Sequence, residues 1–194
     1  MKIKIAIGIP TIGSIKSKTA LSLLNTVNRS EHEFLPIFQF GGYISENREK
    51  IIAVAQDQLC SHVFFVDHDM VFDHQALPLL MSADKDIIGA SYNYRSMPRE
   101  TMVKFYNEEG ETVSKVAKMP ESVFEAAGIP LGCSLIKMSV FDKLKTPYFP
   151  MKYDNKGWAV VSEDIGFCEK AKDEGFKIFC DPTINISHIG DFEF

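Results

Sequence analysis

The stretch HVFFVDHDMVF, His62–Phe72, decides the fold. Its first five residues are an apolar run of strand length, rich in aromatic and β-branched side chains. Two carboxylates, Asp67 and Asp69, close the run with one residue between them. Side chains two apart on a strand point the same way. If the chain stays extended through His68, both carboxylates share one face at the strand's carboxyl end. Two like charges so close repel each other, so a positive group is expected beside them.

Outward from this strand the pattern alternates. Lys2–Ile9 reads as a buried strand ending at Pro10, and Lys16–Val27 has helical spacing through Ala20, Leu23, Leu24 and Val27. Phe34–Phe40 is extended and stops at Gly41-Gly42. Ser45–Leu59 reads as a helix with Ser45 as N-cap and Ile51, Ile52, Ala55 and Leu59 on one face. Gln75–Met81 is a short helix and Asp86–Ala90 a strand. Residues 91–120 are polar and read as a loop with an irregular hairpin. Leu135–Met138 is a strand and Val140–Leu144 a helix. Ser162–Glu174 is a helix closed by Gly175, and Phe176–Cys180 and Ile184–Ser187 are the last strands. Apolar strands alternating with helices predict an α/β fold. It has a mainly parallel central sheet, helices on both faces and a small antiparallel part. The 194 residues suit one domain.

Composition narrows the function. Apolar residues make up 45% and charged residues 24%, an ordinary globular mix. A net charge of -5 argues against general nucleic-acid binding and against a polybasic membrane surface. Cys60, Cys133, Cys168 and Cys180 form no CxxC pair, so they read as reduced core residues of a cytoplasmic protein. The opening MKIKIAIGIP is broken by Gly8 and Pro10 and too short for a signal sequence, and no run is long enough to span a bilayer.

In open α/β sheets ligands bind beyond the carboxyl ends of the strands. That rim gathers Pro10–Gly13, Gly41-Gly42 and Asp67–Asp69. The dinucleotide fingerprint GxGxxG is absent. A P-loop is also absent, because Ser14 and Ile15 follow Gly13 where Lys and Ser/Thr belong. Paired carboxylates suit Mg²⁺ or Mn²⁺, which keep open positions for phosphate oxygens. A solvated acidic turn is the plain alternative. His68 and His74 stand nearby, either as further ligands or as helix caps.

A second constellation is WAVVSEDIGFCEKAKDEGFKIFCDPTINISHIG, Trp158–Gly190. Ser162 is placed to cap a helix whose first turn holds Glu163 and Asp164, an arrangement the helix dipole stabilises with no further function. His188 follows at the end of a short strand. Arg95, Arg99 and Lys104 are either a lid over a diphosphate or a solvated loop. Trp158, Tyr92 and Tyr94 are either stacking platforms or core anchors.

VDHD, then SEDIGFCEKAKDEG, then DPTINISHIG resembles the catalytic domain of nucleotide-sugar glycosyltransferases with the A-type (GT-A, Rossmann-like) fold, close to inverting family 2. The resemblance runs from IGIPT to SHIG. It implies nucleoside contacts from Pro10 and Thr11, and nucleotide contacts from Asn47 and Arg48, whose order here is Asn-Arg where the family's element is Arg-Asn. It implies Asp67 on ribose or base, Asp69 and His188 on Mn²⁺ or Mg²⁺, and Gly132 giving substrate access to the backbone. Asp164 would deprotonate the acceptor, with Glu163 beside it. Residues 1–92 would form a nucleotide-binding half and 93–194 an acceptor and catalytic half of one domain, 1–194. The donor would be a nucleotide-diphosphate sugar and the acceptor a sugar, protein or other hydroxyl compound, with Trp158 or Arg95 touching the acceptor or closing as a lid. The QxxRW motif of processive synthases is absent, which points to single transfers. A sugar-nucleotide pyrophosphorylase and a non-catalytic nucleotide-sugar-binding module are the alternatives. Oligomeric state is not readable from the sequence.

Overall fold

The structure is a computed structural model that describes residues 2–95 and 98–190. In chain order the elements are β1 (Lys4–Pro10), α1 (Ser17–Asn28), β2 (Glu33–Gln39), α2 (Ile44–Asp57), β3 (His62–Val66), β4 (Met70–Phe72), α3 (Ala76–Ser82), β5 (Ile87–Ala90), β6 (Phe105–Tyr106) and β7 (Thr112–Val113). Then follow β8 (Phe124–Ala126), β9 (Cys133–Lys137), α4 (Met138–Phe141), β10 (Lys152–Tyr153), β11 (Ala159–Val161), α5 (Glu163–Asp173), β12 (Ile178–Asp181) and β13 (Ile186–His188).

Seven strands form the central sheet in the order β2-β1-β3-β9-β5-β12-β8. β2, β1, β3, β5 and β12 run one way, while β9 and β8 run against their neighbours. The parallel expectation fits five strands, and the antiparallel part is more than peripheral, because β9 sits in the middle. β9 lies between β3 and β5, so the chain's second half completes the sheet begun by the first.

Period-2 alternation sorts the core into two layers. Ala6, Val63, Phe65, Ile87 and Ile136 face α2, α4 and α5, whereas Ile5, Ile7, Ile9, Phe64, Val66 and Leu135 face α1 and α3. β1 is buried from Ile5 to Pro10 because helices cover both its faces, as expected for a central strand. Under α5 an aromatic cluster fixes the helix to the sheet. Phe149 lies 5.3 Å from Phe167, 5.8 Å from Phe65 and 6.2 Å from Phe141, ring centre to ring centre. Such pairs add about 0.5–1.5 kcal/mol beyond their buried area.

Several boundaries differ from expectation for local reasons. α2 starts at Ile44 with Tyr43 at the N-cap, so Ser45 lies inside the first turn. Ser162 does hold the N-cap position of α5, yet its hydroxyl donates to the Asp164 carboxylate and not to the helix backbone. Gly175, at φ +85°, ends α5 as expected, with the Phe176 amide donating back to the Ala171 carbonyl. All four cysteines are free and buried, and burial pushes every thiol up, Cys168 to about 12. That fits a packing role for them.

Candidate active site

The chain does not stay extended through Asp67-His68-Asp69. β3 ends at Val66 and the backbone turns, the Met70 amide donating to the Asp67 carbonyl at 3.2 Å. The expectation of one shared face is therefore wrong: the turn sends the two carboxylates to different partners. The expectation of a positive group is met twice, because each carboxylate has its own arginine.

Asp67 belongs to a buried ionic bridge. Arg48, 1% exposed, reaches Asp67 Oδ1 with Nη2 at 2.9 Å and Glu163 Oε1 with Nε at 3.5 Å. Its guanidinium also lies over the Phe65 ring, 4.9 Å from the centroid. Arg48 and Asn47 are inward positions of α2, one turn before Ile52 and Ile51. Burial would lower the Arg48 pKa, but Asp67 and Glu163 outweigh it and hold the pKa above its usual value. Burial pushes the Glu163 carboxyl up, against the pull of Arg48. Asp67 is also enclosed by β9's approach. The Asp67 amide donates to the Gly132 carbonyl at 3.0 Å, and the Gly132 amide donates to the Tyr92 hydroxyl at 2.8 Å. A Cβ on residue 132 would collide with the Tyr92 hydroxyl and the Asp67 carboxylate. Gly132 thus makes room for the protein's own groups, where the sequence suggested room for a substrate. Tyr92 is an anchor, and burial with the nearby Asp67 charge pushes its phenol well above the usual value.

Asp69 meets His188. The strand β13 pairs antiparallel with β4, setting His188 opposite Met70, and the Ile189 amide donates to the Asp69 carbonyl at 2.9 Å. This pairing, across more than a hundred residues, puts His188 Nε2 3.4 Å from Asp69 Oδ1. Arg95 completes the group: Nη2 lies 2.6 Å from Asp69 Oδ2, and Nε donates to His188 Nε2 at 2.9 Å. The other ring nitrogen, Nδ1, faces the Asn93 carbonyl at 3.4 Å. With Nδ1–H turned to a carbonyl, Nε2 carries the lone pair, the usual arrangement of a metal-binding imidazole. Asp69 is 1% exposed, and the hydrogen-bonding directions of both its oxygens remain unmet, since Arg95 contacts Oδ2 as an ion pair off those directions.

The chemistry of this donor set fits a divalent cation. A carboxylate and an imidazole lone pair lie close enough to share one ion, and the carboxylate is buried with unmet acceptors. Among the described residues no group of three His, Cys, Asp or Glu closes a metal cage. Mg²⁺ and Mn²⁺ sites are commonly completed by substrate phosphate oxygens and water. His68 is more distant, 3.9 Å from Asp69 Oδ2, and His74 lies by Asp73 and Arg29, away from the site.

The cleft over these residues has a volume of about 490 Å³. Arg48, Asp67, Tyr92, Glu163, Asp164 and His188 line it. Glu163 and Asp164 share the buried stripe of α5 with Phe167, Cys168 and Ala171. The hydrogen bonds to Asp164 both fall on Oδ1, from the Ser162 hydroxyl and from the Ile165 amide at 2.8 Å. They fix the carboxylate while leaving Oδ2 to meet a proton donor from the cleft. The β10–β11 hairpin forms one wall through Ala159, Val160 and Val161. Trp158 is 71% exposed beside it, so the core-anchor alternative is excluded.

Pro10 and Thr11 line a separate small cavity of about 100 Å³ with Gly42, Ile44, Asn47 and His68, and Ile44 is a wall residue of both this cavity and the main cleft. Asn47 donates to the Gly42 carbonyl at 3.4 Å, and its Oδ1 has no partner. A cleft of similar size, about 520 Å³, is lined by Arg29, His32 and His74, and of the candidate ligands named from the sequence it holds only His74. Sequence reasoning missed β4, which delivers His188. Val71 and Phe72, directly after the paired carboxylates, were its only signal.

No family model matches the sequence, and no curated protein does. Solved structures do. A197 from STIV superposes with a TM-score of 0.66 at 19% identity, covering 98% of this chain and 87% of that one. GalNAc-T7, a glycosyltransferase solved with UDP, GalNAc and Mn²⁺, superposes at 0.61 and 13% identity over 99% of this chain. The match spans 45% of the GalNAc-T7 chain. The inositol-1-phosphate CTP transferase from T. maritima superposes at 0.56 and 9% identity, covering 97% and 89%. At these identities the likeness is one of fold: the α/β architecture of this chain resembles that of these structures. Among the described residues no helix is long and apolar enough to cross a membrane.

Proposed function

We propose that the protein transfers a sugar from a nucleotide-diphosphate sugar to an acceptor hydroxyl, with inversion, by a cation-assisted mechanism. One observation carries the reading. Asp69 and His188, 119 positions apart in the chain, present a carboxylate and an imidazole lone pair to one point at the edge of a cleft that also holds Asp164. A GT-A-like fold with that cleft beyond the strand ends supports it further.

In this reading Pro10, Thr11 and Asn47 receive the nucleoside, and the unmet Asn47 Oδ1 accepts from a base or ribose donor. Residues 1–92 supply the nucleotide half, and 93–194 supply the acceptor half. Asp69 and His188 would hold Mn²⁺ or Mg²⁺, which would supply Lewis-acid stabilisation to a departing diphosphate. Asp164 takes the acceptor proton at Oδ2 as the hydroxyl attacks the anomeric carbon. A single base opposite the leaving group inverts that carbon. Arg48 orients Asp67 and Glu163 from below, so its contribution to the nucleotide is indirect. Trp158 offers an exposed ring on which an acceptor stacks.

Nucleotidyl transfer is the second reading, favoured by the superposition with the CTP transferase. It attacks a phosphorus atom and releases pyrophosphate. Two parallel assays with Mn²⁺ separate the readings: UDP-, GDP- and CDP-sugars with mixed sugar acceptors, and UTP, GTP and CTP with sugar 1-phosphates and inositol 1-phosphate. Release of a nucleoside diphosphate, reduced by Asp164→Asn, supports glycosyl transfer. Pyrophosphate release from a triphosphate with a phosphorylated acceptor, or no turnover of any nucleotide sugar, refutes it.

A further inference from the structure

The place a cation would take is held by Arg95. The Asp69 carboxylate and the His188 Nε2 lone pair are both acceptors, and they face each other at 3.4 Å. Two such groups this close call for a positive charge between them. The Arg95 guanidinium supplies it, 2.6 Å from Asp69 and 2.9 Å from His188. Neither Asp69 oxygen is accessible while it is there. Arg95 itself is 49% exposed, so it is the member of the group able to leave without opening the core.

Resting on the function proposed above, we propose that Arg95 is an internal substitute cation. It closes the Asp69–His188 site in the nucleotide-free protein and exchanges for a divalent ion when a nucleoside diphosphate arrives. The exchange keeps charges balanced. Asp69 passes from one cation to another, and the planar guanidinium fork finds a bidentate partner in phosphate oxygens. No covalent bond is made or broken. The exchange makes metal and nucleotide binding mutually dependent. Metal affinity without nucleotide is reduced by the fraction of molecules in which Arg95 has left. By linkage, metal and nucleotide strengthen each other by one common factor, commonly about 5–150-fold. A lysine at this position could not span both partners, because it lacks the fork.

Titration calorimetry of MnCl₂ into the nucleotide-free full chain tests this, using wild type, Arg95→Ala and Arg95→Lys, each repeated with UDP and with GDP. The proposal expects Arg95→Ala to bind Mn²⁺ more tightly than wild type, by about 5–150-fold, with Arg95→Lys between them. It expects the nucleotide to raise wild-type Mn²⁺ affinity and to raise that of Arg95→Ala much less. Suppose wild type binds Mn²⁺ with nucleotide present, yet Arg95→Ala is no tighter than wild type without it. The exchange is then wrong and the proposed function survives. If no variant binds Mn²⁺ under any condition, both are wrong, and Arg95 is a permanent replacement for the metal.

Discussion

Replacing Arg48 by methionine removes one cation from beneath the cleft and leaves two carboxylates behind. Arg48 is 1% exposed and is the shared partner of Asp67 at 2.9 Å and Glu163 at 3.5 Å. Methionine keeps an unbranched apolar stem in the same space and loses the guanidinium over the Phe65 ring, so the change is chiefly one of charge. Removing one partner of a buried ion pair costs about 3–5 kcal/mol, because the remaining charge is uncompensated. Against a total stability of about 5–15 kcal/mol this is a large share. The sign of the pH dependence follows from Glu163, whose folded-state pKa lies above its ordinary 4.5. Its contribution to stability is fully present below 4.5 and is lost as pH rises through the folded value. Arg48 is the main influence holding that value down, so Arg48→Met carries the loss to higher pH. Urea unfolding followed by far-UV circular dichroism should show a deficit that is smaller near pH 4.5 than near neutrality, the difference being the Glu163 share. Trp158 is too exposed to serve as a fluorescence probe. Adding Glu163→Gln to Arg48→Met should restore part of the loss, since it removes one stranded charge. A deficit below about 1 kcal/mol at every pH would refute the reasoning, because even the low end of the range for a broken buried pair exceeds it.

Asp164→Asn should lower kcat by about 10²–10⁴-fold with little change in the donor KM, measured as nucleoside-diphosphate release. Gly132→Ala should destabilise the protein by about 1–3 kcal/mol through overpacking against Asp67 and Tyr92, read from urea midpoints. Trp158→Ala should leave stability within about 0.5 kcal/mol of wild type and raise the acceptor KM, measured by acceptor titration at saturating donor.

The sheet was readable where burial on both faces writes itself as an apolar run, as in Ile5–Ile9 and Val63–Val66. Strand direction was not. Nothing in CSLIK marks β9 as antiparallel, because a strand covered on both sides has the same composition either way. The short strands β4, β8, β10 and β11, two or three residues each, fall below any periodicity signal. At the site, residues far apart in the sequence, Asp67, Asp164 and His188, come to line one cleft. The Asp-x-Asp geometry was misread because strand alternation was carried through a turn. The spacing of Arg48 from Ile51, Ile52 and Ala55 is itself a sequence signal for the buried stripe of α2. The same stripe reading places Glu163 and Asp164 beside Phe167 and Cys168, and so explains why both are buried. Arg95 could not be paired with Asp69 from the sequence, since loop contacts carry no period.

The central claim is that one divalent cation and one nucleoside diphosphate meet at Asp69 and His188. Crystals grown with MnCl₂ and UDP or GDP, with data collected at the manganese absorption edge, test it directly. The account expects one anomalous peak in coordination contact with an Asp69 oxygen and His188 Nε2, with phosphate oxygens on the same ion and Arg95 displaced onto the diphosphate. A bound nucleotide with Arg95 still seated on Asp69, or manganese only at other positions, would contradict it.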